Sequence, residues 1–468
     1  MANAYSHQTT EAVAAFIAGT RSPQPGHETA LSRAILDTVG SALAGMGTAP
    51  DRILRQWITS EGSTGRSTVW TSGQRVSAAT AALCNGTSGH ALDWDDVSPG
   101  SAMHPSTVLL PALLAVSEER GTSGSDLVRA HDVGAAVFRG LTQALPRAVH
   151  YGRGWHTTAT VGRLAAVAAV AALVGLDERA CGHALGLAGS LAAGSLANFG
   201  SMTKPLHAGL AARDAVMAVA LAESGFTAGS RILEATGGFF DLYGDKDAAR
   251  LATLAEDLVA WRSRWACDWA QKFYPACYAT HRAIDAVLRI RRELGGRSPQ
   301  AIRVVTEPGG LRPLIDRRPA NGTEAKFNLA YVLGVALVYG KVTLAHFDDT
   351  ALQDDAVARV AAVVSAREQD SPPVGEADYR DGFTVVEIDA GDGHTHRVRV
   401  DTTYGDAASP LSDADLAEKA AEGCRIAGFS AAQADGITTA LQQIPHATVP
   451  GDLLDVLARP HRPQEATV

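Results

Sequence analysis

A helical periodicity runs through about half of this 468-residue chain and limits the folds open to it. From Glu28 to about Cys267, apolar residues recur at spacings of three and four, and runs that alternate polar and apolar residues are missing. Short breaks such as "RGTSGSD" and "VGLDERA" separate the helical segments and are typical of helix–helix turns. This stretch therefore predicts a bundle of α-helices.

The apolar residues of the chain are mostly small. Hydrophobic residues make up 46% of the sequence but aromatic residues only 6%, so the core must consist largely of Ala, Leu and Val. The most apolar stretch, "LAAVAAVAALVGL" at 164–176, is shorter than the roughly 20 residues that a membrane span requires. We expect it to be a buried helix, and we expect no membrane partner.

The pattern changes near Cys267. "AIRVVTE" predicts a strand, "EAKFNLAYVLGVALVYG" a helix, and "FTVVEIDAGDGHTHRVRV" a hairpin with a Gly-Asp-Gly turn. Helical periodicity returns in "SDADLAEKAAEGCRIAGF", where Ser412 is the expected N-cap. The chain is too long for one core. We predict a mainly α fold, with a large all-α helical domain of residues 1–266, completed by 410–468, and a smaller inserted α+β lid domain of residues 267–409.

The charge and the cysteines narrow the class of protein. A net charge of −9 argues against nucleic acid or an anionic membrane surface as a partner, so an anionic substrate would need a locally basic pocket. The five cysteines are far apart and form no CxxC pair, and the N-terminal residues lack the pattern of a secretory signal. We therefore expect a reducing compartment, the cytoplasm.

The stretch "HALDWDDVSPGSAMHPS", residues 90–106, concentrates titratable side chains. Pro and Gly end any helix before His104, and Pro105 holds His104 extended at the start of the next helix, a posture suited to an acid or base. Three adjacent carboxylates without a second histidine cluster are weak evidence for a metal site, so we predict that the stretch binds no metal. For Asp95, a solvated position is the simpler interpretation.

Two later motifs carry further candidates. In "YGRGWHTTATVG", Thr157 and Thr158 can cap the following helix, so His156 would lie at a helix N-terminus that lowers its pKa. In "SMTKPLHAGLAARDA", Lys204 and His207 precede another helix, and Lys204 can neutralise a carboxylate. A packing role for His156 and an ordinary surface position for Lys204 remain open at this point.

A third motif lies at the predicted domain boundary, where clefts commonly form. "AQKFYPACYATH" brings together Lys272, Tyr274, Cys277 and His281. By contrast, the pair His394 and His396 on a predicted strand is more simply structural than metal-binding.

Five motifs, in this order, resemble the MmgE/PrpD family, whose members include 2-methylcitrate dehydratase, cis-aconitate decarboxylase and iminodisuccinate epimerase. They are "HALDWDDVSPGSAMHPS", "GWHTTATVG", "TKPLHAGLAARDA", "KFYPACYATH" and "EAKFNLAYVLGVAL", and the resemblance spans most of the chain. The resemblance implies a homodimer with a helical domain, an α+β lid and a cleft between them. It also implies no cofactor and a di- or tricarboxylate substrate.

The resemblance also assigns residues to the active site. The family's catalytic positions fall on Asp93, His104, His156, Lys204 and Lys272. Two positions depart from the family's pattern: Val97 stands where a Thr usually follows the Asp-Asp pair, and Cys277 stands where decarboxylases carry His. Ser98 can replace the lost hydroxyl, and we expect His207 and Tyr274 to bind substrate with it.

The chemistry that the family shares is removal of a proton α to a carboxylate, which cationic groups make easier. An epimerase needs only two groups that exchange a proton on opposite faces of one carbon, and the thiol of Cys277 can be one of them. We therefore predict a cofactor-independent epimerase of a small polycarboxylate such as iminodisuccinate. The alternative is a dehydratase of the 2-methylcitrate type or a cis-aconitate-type decarboxylase, and a non-catalytic binding protein is a distant third.

Overall fold

The computed structural model describes residues 9–245, 250–380, 382–391 and 393–457. Helices dominate these residues and the sheets are small, so the mainly α fold predicted above is confirmed. Two large apolar cores form, one in a large helical body and one in a smaller body with a four-stranded sheet, and the smaller body also has a minor apolar cluster.

The helical body takes most of its elements from the first part of the chain. Its helices up to residue 264 are α1 (Thr9–Gly19), α2 (His27–Ala44), α3 (Ala49–Glu61), α4 (Ala78–His90), α5 (Ser106–Arg120), α6 (Gly124–Ala144), α7 (Arg147–His150), α8 (Thr157–Val174), α9 (Glu178–Leu191), α10 (Thr203–Glu223), α11 (Phe239–Tyr243) and α12 (Leu254–Arg264). Two short antiparallel strands, β1 (Ser67–Thr68) and β2 (Arg75–Val76), lie between α3 and α4.

Helix α8 lies at the centre of this body. By length and composition it is apolar enough to cross a membrane, but 94% of it is buried inside the protein. It contains the stretch 164–174, and its alanines let neighbouring helices approach on every side. The prediction of a buried core helix is therefore confirmed.

The smaller body, here called the lid, contributes the mixed elements. They are α13 (His281–Leu294), β3 (Ala301–Thr306), α14 (Gly322–Ala325), α15 (Leu329–Tyr339), α16 (Asp355–Ala361), β4 (Val364–Glu368), β5 (Thr384–Asp389) and β6 (Thr395–Val400). The sheet order is β4-β3-β5-β6, parallel between β3 and β4 and antiparallel elsewhere. Helices α13 and α15 share an apolar core with one face of this sheet.

One predicted helix of the lid is interrupted. The stretch "EAKFNLAYVLGVALVYG" forms the end of α14 and all of α15 rather than a single helix. The break occurs because the Asn328 side chain accepts a hydrogen bond from the backbone N–H of Tyr331 at 2.8 Å and so caps a new helix. This break keeps Lys326 in the connection between the two helices.

The chain then returns to the helical body through α17 (Asp413–Ile426), α18 (Ala431–Gln443) and α19 (Pro450–Leu454). Ser412 caps α17 as predicted, because its side chain accepts from the backbone N–H of Asp415. The larger core includes residues up to Trp269 and again from Leu411, whereas the lid core runs from Tyr274 to Val400.

Candidate active site

A cleft lies between the helical body and the lid. The helical body contributes Asp93, Val97, Pro99, Ala102, His104, Tyr151, His156, Phe199 and Lys204 to its wall. The lid and the segment that leads into it contribute Lys272, Cys277, Tyr278, Ala279, Arg282, Glu307, Gly309, Gly310, Pro313 and Phe327. The structure therefore brings all six predicted catalytic residues to one cavity.

Asp93 lies at the centre of this cavity. Helix α4 ends at His90, so Asp93 lies outside it, and its φ of 54° lies in the left-handed region. Aspartate tolerates this conformation better than most residues, and such strain is common at functional sites. The turn carries the Asp93 carboxylate to two lysines that lie far away in sequence.

Those two lysines hold Asp93 in its ionised form. Nζ of Lys204 lies 2.6 Å from Asp93 Oδ1, and Nζ of Lys272 lies 3.0 Å from Asp93 Oδ2 and 2.7 Å from the Asp93 carbonyl oxygen. Burial raises the pKa of Asp93, but the two ammonium groups outweigh burial and hold that pKa far below its usual range. Asp93 is thus a counter-ion for two buried cations that line the cleft.

Lys204 reaches the site from a helix that begins earlier than the sequence indicated. Helix α10 starts at Thr203, so Lys204 and His207 lie in its first two turns rather than ahead of it. Pro205 fits there because the first turn of a helix has no internal partner for its missing N–H. Lys204 also contacts Nε2 of His90 at 2.8 Å.

Asp95 is buried, so the interpretation that placed it in solvent is wrong. Both of its carboxylate oxygens lie 2.9 Å from Nδ1 of His90, and Oδ2 lies 3.3 Å from Nδ1 of His104. Burial raises the pKa of Asp95, but the two imidazoles reverse that effect and keep the pKa low. Since Asp95 accepts at Nδ1 of His90, Nε2 of His90 is left to accept a hydrogen bond from Lys204.

His104 has the geometry of a general base. Its Nδ1 lies 2.9 Å from the backbone carbonyl of Asp96, which can only accept, so Nδ1 carries the proton. The unprotonated Nε2 then lies 3.9 Å from Asp93 Oδ1, toward the cleft. Burial lowers the pKa of His104 to about 3, so the imidazole is neutral.

His156 is itself the N-cap residue of α8, the position that the sequence suggested for the threonines after it. Its Nδ1 lies 3.0 Å from Nδ1 of His207, and the ring of Phe199 packs edge-on against it at a centroid distance of 4.9 Å. Burial lowers the pKa of His156 well below its usual range, and the Lys204 charge adds to that effect. His156 is therefore neutral.

Cys277 lines the cleft with its thiol protonated. Burial raises its pKa to about 11, and Asp93 adds to this shift. Its backbone N–H donates to the Lys326 carbonyl at 2.9 Å, while Nζ of Lys326 donates to the Pro275 carbonyl at 3.0 Å. Lys326 thus fixes the segment around Cys277 from both ends.

The three residues predicted to bind substrate lie outside the cleft wall. The Ser98 hydroxyl donates to Asp268, the Tyr274 hydroxyl donates to Asp285 at 2.6 Å, and His207 stands behind His156. Ser98 and Tyr274 were expected to face substrate because of their hydroxyls, but buried hydroxyls are satisfied by the nearest acceptor. His281, from the same motif as Tyr274, likewise bonds the Ala276 carbonyl.

Several residues of the site were missed by sequence reasoning. Lys419 of α17 is buried and its Nζ donates to Asp37 at 2.6 Å, to the Trp94 carbonyl at 2.6 Å and to the Lys272 carbonyl at 2.9 Å. It thereby joins the chain segments that carry Asp93 and Lys272. The other missed residues are His90, Phe199, Tyr278, Arg282, Glu307 and Lys326. Only His90, Tyr278 and Lys326 lay inside motifs that the sequence had singled out.

Four residues around Asp93 have the spacing of a metal site. Ligand atoms of His90, Asp93, Asp95 and His104 lie within 4.8 Å of one another. However, the ammonium of Lys204 already bonds Nε2 of His90 and Oδ1 of Asp93. A divalent cation would have to displace this buried ammonium, so the donor set fits a proton-transfer site better than a metal site.

Both halves of the chain match a described family. The model of the MmgE/PrpD N-terminal domain matches residues 11–252, and that of the MmgE/PrpD C-terminal domain matches residues 274–442. The second match extends beyond the lid core into α17 and α18, which pack with the helical body.

Curated relatives match most of the chain in sequence. Cis-aconitate decarboxylase of Homo sapiens is 31% identical over 399 residues, which cover 83% of this chain and 81% of that protein. The enzyme of the same name from Mus musculus is 30% identical, with 83% and 80% covered. One from Aspergillus terreus is 28% identical over 360 residues, with 71% and 72% covered.

Proposed function

This chain belongs to the MmgE/PrpD family, and from that premise we propose that it is a lyase that decarboxylates a small unsaturated tricarboxylate such as cis-aconitate. This reading replaces the epimerase as the first candidate, because the curated relatives named above are all decarboxylases. One observation carries the proposal. Two buried lysines share a single carboxylate counter-ion in the same cleft as a neutral imidazole and a neutral thiol.

The lysines supply the electrostatic part of the reaction. A substrate carboxylate that enters beside Asp93 meets the ammonium groups of Lys204 and Lys272, which are already buried and oriented by hydrogen bonds. When the bond to the departing carboxylate breaks, its electron pair stays on carbon and spreads into the adjoining unsaturated carboxylate. Preorganised cations at that carboxylate stabilise the charge without reorganisation.

The neutral groups complete the reaction. The carbanion must take up one proton, and the Cys277 thiol or a lysine ammonium can donate it; solvent then restores the donor. His104 accepts protons through Nε2 and can relay them to the cleft. No step in this sequence calls for a metal or an organic cofactor.

Epimerisation is the second candidate, and Cys277 favours it. The decarboxylases that this chain resembles carry histidine at this position. This chain instead places a protonated thiol in the same cleft as the neutral His104. Such a pair can remove a proton from one face of a carbon and return one to the other. The substrate expected for this second candidate is iminodisuccinate.

One assay distinguishes these functions. The enzyme is incubated in deuterated buffer with cis-aconitate, 2-methylcitrate or iminodisuccinate, and carbon dioxide, optical rotation and product deuterium are followed together. Carbon dioxide release with one deuterium incorporated is the expected result. Inversion with deuterium but no carbon dioxide would establish the epimerase, and loss of water the dehydratase. No change in any of the three substrates would overturn the proposal.

A substitution at Cys277 sharpens the choice. We expect Cys277→Ala to slow turnover by roughly 10²–10⁴-fold, the usual contribution of a positioned proton donor or acceptor. Cys277→His is the matched variant: it should retain or raise decarboxylation and abolish epimerisation. Unchanged rates in the Cys277→Ala variant would remove the thiol from either mechanism.

Two further expectations from the sequence remain proposals. The first is a homodimer, which light scattering would reveal as about twice the chain mass. The second is a cytoplasmic location, supported by the five cysteines, which form no disulfide within the described residues. Cell fractionation followed by immunodetection tests it.

A further inference from the structure

A second cationic group faces the cleft from the lid. Arg282 lies in the first turn of α13, lines the cavity and is only 6% exposed. Its ion-pair partner is Glu307, not the Asp93 carboxylate that the two lysines share. The cleft therefore contains a cationic group that does not belong to the cluster of Lys204, Lys272 and Asp93.

The guanidinium of Arg282 is held in place, but not all of its N–H groups have close hydrogen-bond partners. Nε of Arg282 donates to the Asp401 carbonyl at 2.8 Å, which sets the plane of the group. Nη1 lies 3.5 Å from Glu307 Oε1, longer than the roughly 2.7–2.9 Å of a strong charge-assisted hydrogen bond. Among the residues that the structure describes, Nη2 has no hydrogen-bond partner.

Glu307 is committed to other groups. Its Oε2 accepts from the Thr306 hydroxyl at 2.6 Å and from the backbone N–H of Phe383 at 3.1 Å. Glu307 therefore cannot turn both of its oxygens toward Arg282 in the bidentate arrangement that a guanidinium prefers. Arg282 is nearly buried, and Glu307 compensates its charge only in part. A second anion beside the guanidinium would complete that compensation.

Glycines leave room beside this pair. A Cβ atom at Gly382, whose φ is 153°, would lie 2.4 Å from Glu307 Oε1 and 2.7 Å from Arg282 Nη1. Gly309 and Gly310 line the same wall of the cleft. The backbone thus comes close to the guanidinium without a side chain that would cover it.

We propose that Arg282 binds a second carboxylate of the substrate and makes the enzyme selective for compounds with two or more carboxylates. The inference rests on the proposed function, in which the reacting end of the substrate lies at Lys204 and Lys272. A substrate that spans the cleft then places one carboxylate at the lysines and another at Arg282. A monocarboxylate can satisfy only one of the two centres.

Binding of unreactive probes tests this inference without turnover. Glutarate and butyrate differ only in one terminal carboxylate, and their dissociation constants are measured by ligand-observed NMR on the full chain. We expect glutarate to bind the native protein more tightly, and Arg282→Gln to weaken glutarate by roughly 10–100-fold, as loss of hydrogen bonds to a charged group would. Butyrate binding should not change, so the preference between the probes should disappear.

The controls separate recognition from structure. Arg317→Gln removes an exposed lid arginine paired with Glu324 and should leave both constants unchanged. Arg282→Lys keeps the charge and should restore part of the preference for glutarate. An equal loss of both probes in Arg282→Gln, or no loss of glutarate, would overturn the assignment. Because these are equilibrium constants, a failed turnover assay would refute the proposed reaction without deciding this inference.

Discussion

At the scale of single residues, the pairing of one carboxylate with two ammonium groups governs the site. Asp93 is buried between Lys204 and Lys272, and each lysine retains N–H groups beyond those bonded to Asp93. The Asp93 carboxylate between the two ammonium groups compensates part of the cost of burying them. Asp93 thus serves as the counter-ion of both lysines.

The first prediction concerns these lysines. Lys204→Ala or Lys272→Ala should lower kcat/KM by an amount equivalent to about 2–4 kcal/mol of transition-state stabilisation. Each should also lower the melting temperature, because the remaining partner is left buried with less compensation. Steady-state kinetics and thermal melting on the same preparations check both effects.

A double variant separates the two effects. Asp93→Asn combined with Lys204→Met removes a buried charge of each sign, so it should recover much of the lost melting temperature while activity stays low. If activity recovered together with stability, Lys204 would have only a structural role.

The second prediction concerns metal. Activity should survive exhaustive dialysis against EDTA, because the ammonium of Lys204 occupies the position between His90 and Asp93 that a cation would need. The check is the rate before and after chelation, with metal content measured by mass spectrometry. Loss of activity that a single divalent ion restores would refute the prediction.

At the scale of elements, the crossing of α4 and α10 sets the distance between Asp93 and Lys204. A Cβ atom on Gly86 would lie 2.9 Å from the Cα of Gly209, and a Cβ on Gly209 would lie 2.2 Å from the Leu83 carbonyl oxygen. The two helices can approach this closely only because both positions lack a side chain. One helix ends just before Asp93 and the other begins just before Lys204.

The third prediction follows from this contact. Gly209→Ala should destabilise the protein by roughly 1–3 kcal/mol, as overpacking of a core contact does, and should lower kcat by moving Lys204 away from Asp93. Urea unfolding and steady-state kinetics measure the two effects.

Gly436 in α18 is the matched control position. A Cβ atom there meets nothing within 4 Å, so Gly436→Ala should be neutral or stabilise the protein by up to about 1 kcal/mol. A Gly209→Ala variant with native stability would show that the crossing adjusts without cost.

At the scale of the whole molecule, buried imidazoles make the fold sensitive to acid. Burial lowers the pKa of several histidines, among them His104 and His281 to about 3, and His131, His150 and His207 to about 4. In the unfolded chain these groups titrate near about 6.5. Below that pH the unfolded state binds protons that the native state does not, so the free energy of unfolding falls as the pH falls.

The fourth prediction puts a size on this effect. Between pH 7 and pH 5 the free energy of unfolding should decrease by roughly 1–2 kcal/mol per buried imidazole. Urea unfolding followed by circular dichroism, at one protein concentration and several pH values, measures the slope.

His131 provides the comparison. It packs against Trp265 and Trp269, is not among the residues that line the cleft, and neither of its ring nitrogens has a hydrogen-bond partner among the described residues. His131→Leu should make the pH dependence less steep. An unchanged slope in this variant would contradict the assignment of acid sensitivity to buried imidazoles.

The sequence by itself determined the features that depend on local order. Periodicity predicted the helical body, the strand β3 and the hairpin β5–β6, and the Ser412 cap placed the start of α17. These features follow from neighbours three or four residues apart, or from alternation along one strand. The motifs also brought forward the six residues that meet in the cleft.

Only the tertiary structure decided how those residues are paired. Lys204 and Asp93 are 111 positions apart, and Lys272 and Asp93 are 179 apart, so no local pattern relates their charges. Asp95 was expected in solvent, but it is buried and contacts two imidazoles. The hydroxyls of Ser98 and Tyr274 donate to internal carboxylates. Arg282 lies in an ordinary amphipathic helix, so its neighbours in sequence do not mark it as a functional residue. Only the packing of the lid shows that it lines the cleft. Electrostatic pairing depends on distance and desolvation, and both are set only when the separate segments pack.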